Sequence, residues 1–298
     1  TTTAGVPVSV TELDLVAYSP TLRGSGDYYF LNSPRAGDPS FQVLAGRGYW
    51  VFPRTALRIN PRGRVWDATQ PFAVNLGAGW NMVGSVFQQP INFSALQARA
   101  GLAAAVNITN AASPVRPFAW TYNRATRSYQ LVQASDTLIP GRAYWFFATT
   151  ACELILPTPG TRGVEVGRAA DFRSNALQVV ARMGDRTDTD NFVPLDGSAK
   201  TRMAELIKPP YLANFVSVRF VDPDAVQLPA ETRAVPAGSL VVFEVTTDQQ
   251  NADVSLQFPN ISTLGRRYSV SIVDLSNNSR RSLANGAGLT YNTGENTA

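Results

Sequence analysis

The stretch GRGYWVF at residues 46–52 returns as GRAYWFF at residues 141–147. No other feature constrains the fold as strongly. In each copy a glycine, Gly46 or Gly141, stands where the chain turns into an apolar run, and glycine takes the positive φ that such a turn demands. Tyr49/Trp50 and Tyr144/Trp145 follow as adjacent residues, so a strand puts one ring on each of its faces. The expectation is that one ring of each pair packs a core and the other stays near the surface. A chain that writes this element twice is building one small β unit twice, and such units bury their apolar faces by stacking on neighbours.

The second copy sits in a longer pattern. Phe72, Val74 and Leu76 alternate, the period-2 signature of a half-buried strand, and GWNMVGSVF after the turn LGAG predicts another. Pro90 ends it, and Ser94 is placed to cap a short helix over ALQARAGLAAA. PFAWTYNRATRSYQLV (117–132) predicts a hairpin, and TLIPGRAYWFFATTACELILP predicts a turn and two closing strands. The first copy repeats only the later half of this order. VAYSPTLRGSGDYYF answers the hairpin and VLAGRGYWVFPRTALRINP answers the turn and strands, with no LGAGWNMVG ahead of them.

The organisation expected is therefore an incomplete first β repeat with an extended N-terminal segment (1–66), a complete second repeat (67–157) and a C-terminal module (158–298). PTPGTRG (157–163) reads as the linker into the last module. Beyond it NALQVVARM, FVSVRFV, SLVVFEVTT, ADVSLQF and RRYSVSIVDL are strands separated by Gly, Pro, Asn and Asp turns, the pattern of an antiparallel β-sandwich. Alternation nominates Val216, Val218 and Phe220, Val241 or Val242 with Phe243, Val254, Leu256 and Phe258, and Tyr268, Val270, Ile272 and Val273 as its core. The fold class is all-β.

Composition narrows the chemistry. Histidine is absent and Cys152 is the single cysteine, which removes Ser-His-Asp and Cys-His catalysis, His- or Cys-based zinc and any intramolecular disulfide. Cys152, within ACELILP, is expected to be a buried apolar residue. The net charge is +4, but only 16% of residues are charged and the arginines are scattered singly, so nucleic acid is not an expected partner. Of the 26 basic residues only Lys200 and Lys208 are lysine. No apolar run is long enough for a membrane span. Asp185, Asp188, Asp190 and Asp196 cluster in a Gly-containing stretch that offers hard oxygen ligands for Ca²⁺, although their spacing is not that of a regular calcium loop; a solvated turn paired with arginine is the competing expectation. No catalytic constellation emerges, and the chain is not expected to be an enzyme or to carry another cofactor.

The order GWNMVGSVFQQPINFSAL, FAWTYNRATRSYQL, LIPGRAYWFF resembles a recurrent β module of secreted and cell-surface bacterial proteins, well over 71–157 and in part over 11–61. The Asp-rich stretch, VSLQFPNISTLGRRYSVSIVDL and LTYNTGE resemble the C-terminal β module of similar proteins. In that pattern a further strand follows the last turn, whereas here the sequence stops at GENTA. The resemblance implies a structural role outside the cell, at the bacterial surface. Joined to an incomplete first repeat, it leads to the expectation of a filament or surface-assembly subunit whose partners are copies of itself, joined by strand addition. Val6, Val8, Val10, Leu13 and Leu15 alternate as a donor strand, and Leu289 and Tyr291 mark the edge it would complete. The alternative is an adhesive module in which Tyr49, Trp50, Trp80, Trp120, Tyr144 and Trp145 stack on surface glycans.

Overall fold

The computed structural model describes residues 13–24, 26–31, 43–55, 65–164, 173, 175–195, 206–223, 226, 240–264, 268–283 and 288–294. Among them the regular structure is strand throughout apart from short 3₁₀ turns, as an all-β chain requires. No helix among the described residues is long and apolar enough to cross a membrane. The chain forms two compact units, residues 1–121 with 131–167 and residues 122–130 with 168–298. The first repeat and most of the second lie in the first unit, while residues 122–130 of the second repeat belong to the second unit.

In the first unit β1 (Leu13–Ser19), β2 (Asp27–Phe30) and β3 (Trp50–Pro53) make an antiparallel sheet with β1 in the middle. The second repeat supplies β4 (Phe72–Leu76), β5 (Gly79–Gly84), β6 (Ile91–Asn92), β7 (Gln97–Arg99), β8 (Val106–Asn107), β9 (Val115–Asn123), β10 (Ser128–Val132), β11 (Thr137–Leu138), β12 (Ala143–Ala148) and β13 (Cys152–Leu156). These build two four-stranded sheets, β10-β9-β12-β5 and β4-β13-β7-β8, and the small pair β11-β6. Val83, Tyr144 and Phe146 of one sheet and Val74, Leu76, Ala98, Leu154 and Leu156 of the other share a single core. In sheet order β2-β1-β3 matches β10-β9-β12, and among the described residues no strand of the first repeat takes the place of β5.

The helix expected after Ser94 does not form. Phe93–Ala95 makes one 3₁₀ turn, and Gln97–Arg99 is a strand between β13 and β8. Ala98 is wholly buried opposite Leu154, while Gln97 and Arg99 face outward and Arg99 pairs with Glu153 at 2.5 Å. Ala95 and Ala98 are small residues buried in the core, whereas Ala103, Ala104 and Ala105 are exposed beyond the strand; tertiary pairing overrides helix propensity.

The second unit contains β14 (Ala176–Met183), β15 (Arg186–Pro194), β16 (Val216–Val221), β17 (Val242–Thr247), β18 (Asp253–Gln257), β19 (Ser271–Asp274), β20 (Ser279–Ser282) and β21 (Leu289–Asn292). A sheet ordered β15-β14-β18-β21 accompanies the hairpins β16-β17 and β19-β20. Val179, Ala181, Val254 and Leu256 pack with Val216 and Val218, the nominated core strands. Two expectations change. Asp188 and Asp190 of the Asp-rich stretch lie not in a loop but in strand β15. Tyr268 is 40% exposed because β19 starts only at Ser271 and leaves that ring outside the alternation.

Candidate functional site

The two copies of the motif adopt one local geometry. Gly46 has φ +79° and Gly141 has φ +75°. The Arg47 N–H donates to the Leu44 carbonyl and the Arg142 N–H to the Ile139 carbonyl, both at 3.3 Å. Each tyrosine then reaches back to its own turn: the Tyr49 hydroxyl accepts from the Leu44 N–H at 2.7 Å and the Tyr144 hydroxyl from the Ile139 N–H at 2.6 Å. A buried backbone donor left without an acceptor is destabilising, so the tyrosine is what the turn requires at that spacing. Burial raises the pKa of both phenols, against the lowering effect of the backbone N–H.

Among the described residues the first repeat has no counterpart of β5, but it has a substitute. β12 pairs with one edge of β5. Along its other edge run Gly46–Gly48: the Gly48 N–H donates to the Met82 carbonyl and the Gly84 N–H to the Gly46 carbonyl, both at 3.0 Å, with Arg47 bridged to Val83. One GWN strand therefore serves two repeats. Close approach explains the one change inside the motif's turn, Gly48 for Ala143. A Cβ on Gly48 would lie 2.7 Å from the Ala143 Cβ, and one on Gly84 would lie 2.9 Å from the Arg47 carbonyl oxygen.

The aromatic residues nominated for glycan stacking divide sharply. Trp120, Tyr144 and Trp145 are no more than 2% exposed and present no ring face to a ligand. The expected division of the Tyr144/Trp145 pair into an inner and an outer ring does not hold either. Tyr144 enters the core, and Trp145, on the opposite face, is covered by Tyr18 and Tyr28 of the first repeat at centroid distances of 5.0 and 6.1 Å. Trp80 is half-buried against Trp145 and Phe147. Tyr49 and Trp50 are also half-buried, and Trp50 stacks on Phe52. Phe52 is 41% exposed and Phe30, on the same sheet face, is 51% exposed.

Of the donor-strand candidates, Val6, Val8 and Val10 lie outside the described residues. Leu13 and Leu15 belong to β1 and pair with Pro53 and Val51 of the same unit. Leu289 and Tyr291 lie on β21, the last strand of its sheet; among the described residues no strand pairs with its outer edge. Their side chains pack on the core. The Thr293 N–H donates to the Ala252 carbonyl, and the antiparallel alternation then turns the backbone groups of Thr290 and Asn292 outward.

Among the described residues the nominated aspartates do not converge. Asp185 is exposed on a turn and pairs with Arg127 at 2.9 Å, Asp190 is half-buried, and Asp196 lies outside the described residues. Among the described residues no group of three or more carboxylate or thiol side chains could hold a metal ion. Asp188 has a different partner. Strict alternation would send Asp188 and Asn191 to opposite faces, but an irregularity in the β14–β15 register sets Asp188 opposite Ala181 and Asn191 opposite Val179, both core residues. Asp188 is 0% and Asn191 1% exposed. Both meet the buried ammonium of Lys208: the Asp188 carboxylate forms an ion pair with it, and the Asn191 Oδ1 accepts from it at 2.5 Å. The Val218 N–H donates to Asp188 Oδ2 at 2.7 Å, and the Asn191 amide nitrogen donates to the Val179 and Asp188 carbonyls at 3.0 and 3.3 Å. Burial lowers the Lys208 pKa, against the raising effect of Asp188. Sequence inspection nominated Asp188 and did not nominate Asn191 or Lys208 as site residues. The one available signal was a lysine followed by Pro209 and Pro210 in a chain that otherwise uses arginine.

Cys152 is buried and its thiol is pushed up to about 11 by desolvation, so it is a packing residue at neutral pH. No known protein family, no curated protein and no solved structure matches this chain.

Proposed function

We propose that the chain is a structural subunit of an extracellular bacterial assembly, a filament or surface layer, in which copies of it are joined by strands added across subunits. The observation that carries this reading is the double use of β5. Within one molecule an edge strand is already completed by backbone from a different repeat, so the repeats are built to associate through main-chain pairing. The outer edge of β21, with the Thr290 and Asn292 backbone groups facing outward, is the acceptor this reading assigns. Residues 5–12, continued by β1, supply the donor. Contact between different ends of the subunit is heterologous and gives an open fibre.

The test is electron microscopy and size-exclusion chromatography of the full chain and of a variant lacking residues 1–12. Fibres from the first and folded monomers from the second are expected. Fibres from the shortened chain would remove the donor assignment, and monomers from both would remove the polymer reading.

A second reading has its own support in Phe30, Trp50 and Phe52, aromatic residues on one sheet face that are open in part to solvent. On that reading the face stacks on surface sugars. Tryptophan fluorescence titrated with soluble glycans distinguishes the two; no response across a broad panel counts against the sugar face.

A further inference from the structure

The Lys208–Asp188–Asn191 cluster is unlike the other polar groups among the described residues. Exposed ion pairs such as Arg219–Glu244 contribute little and need no special account. This one is inside the second unit, its lysine side chain 9% and its aspartate 0% exposed. A charged pair buried this deeply gives up much of its hydration, and replacing it by apolar residues is often neutral or stabilising. Asp188 Oδ1 is buried with no hydrogen-bond partner, so the carboxylate is not fully satisfied even with Lys208 beside it. Stability alone is a poor reason to keep such a group.

Its parts have the chemistry of amide exchange. Lysine can give up its proton and become a nucleophile, which arginine cannot do in a protein. Only two of the chain's 26 basic residues are lysine, and one of them stands here. The nucleophile's target is adjacent. With Nζ 2.5 Å from Asn191 Oδ1 and a C=O bond of about 1.23 Å, the Asn191 Cγ lies within about 3.7 Å of Nζ, close to the range from which bonds form. The leaving nitrogen is already held by two backbone carbonyls. The Asp188 carboxylate touches Nζ and is placed to take its proton.

We propose that Lys208 and Asn191 form an intramolecular isopeptide bond, with Asp188 as the proton carrier. Nζ attacks Asn191 Cγ, the Nζ–Cγ bond forms and the Cγ–Nδ2 bond breaks. Of the three protons on the ammonium, one remains on the new amide, one joins the departing amide nitrogen and one rests on Asp188. Ammonia is the only product released, and no oxidant or other reactant is needed. The result replaces a buried ion pair by a neutral amide and ties β15 covalently to the segment that leads into β16. Such a tie suits a protein that carries load, but the bond is predicted whether or not the chain polymerises.

The experiment is intact-mass spectrometry of the full-length protein under denaturing conditions, followed by peptide mapping. The expected result is a chain lighter than its sequence by one ammonia, with a branched peptide joining Lys208 to Asn191. The sequence mass unchanged would overturn the proposal. So would loss of one water, which would join Lys208 to Asp188 instead, or loss of ammonia mapped to any other asparagine. Asp188→Asn and Lys208→Arg are expected to restore the full sequence mass; an undiminished cross-link in D188N would remove Asp188 from the chemistry. The wild-type mass decides the central point even if a variant fails to fold.

Discussion

Residues 44–52 and 139–147 share a turn, a tyrosine-to-backbone hydrogen bond and a Tyr-Trp pair, yet their tryptophans meet different fates. Trp145 is 2% exposed beneath Tyr18, Tyr28 and Trp80, whereas Trp50 is half-buried beside an exposed Phe52. Local chemistry is the same in both copies, since a glycine at positive φ and a hydroxyl five residues after an amide are short-range requirements. Burial is not local. The first repeat covers the second, and among the described strands no third repeat covers the first.

Substituting the two tryptophans tests that difference most directly. Trp145→Ala should destabilise the first unit by about 3–5 kcal/mol, the range for removing a large buried aromatic residue. Trp50→Ala should have less than half that effect, measured as the shift in urea unfolding. Equal losses would show that the two faces are covered alike.

The junction at β5 gives a smaller contrast. Gly48→Val places methyl groups against Ala143 and Met82 and should destabilise by about 1–3 kcal/mol, as overpacking does. The reverse change in the other copy, Ala143→Gly, leaves β12 paired and should cost at most about 1 kcal/mol, mainly through chain entropy. Thermal unfolding of the pair reads this directly. If Gly48→Val is silent, Gly46–Gly48 does not pair with β5 in solution.

The tyrosines give the finest comparison, and one that depends on pH. Both hydroxyls are raised above the ordinary tyrosine value of 10.0. A neutral form favoured by folding contributes stability that is complete below the unfolded pKa and is lost as pH rises through the folded one. Stability should therefore hold up to about pH 10 and fall above it, by the same rule that applies to Tyr291, raised to about 12. Tyr144→Phe should lower stability at neutral pH by about 1–2 kcal/mol and reduce the alkaline loss, and Tyr49→Phe should do both to a lesser degree. The measurement is urea unfolding from pH 7 to 11.

Much of the fold can be read from single residues. Phe72, Val74 and Leu76 alternate in sequence and alternate in space, because a strand's period is set by backbone geometry alone. The same holds for Val216 and Val218 and for Val254 and Leu256. Residues 95–99 mislead for a physical reason: small residues such as Ala95 and Ala98 suit a helix in isolation and a crowded core equally well, and only pairing with β13 decides between them. RTDTDNFVP misleads in the opposite sense. Carboxylates signal solvent, and nothing in their spacing reveals a register irregularity that turns Asp188 and Asn191 onto one face. Lys208 lies 17 residues beyond Asn191 in a different segment, so no local pattern links them.

What the amino-acid sequence determined by itself was the repeat, the two glycine turns, the strands with clear alternation and the absence of histidine chemistry. Each follows from interactions among residues near one another in the chain or from composition. The tertiary structure alone decided which tryptophan is covered, that β5 is shared between two repeats, and that a lysine, an asparagine and an aspartate meet out of water. Those outcomes depend on which distant surfaces exclude solvent from each other, a property of the packed chain that no short segment contains.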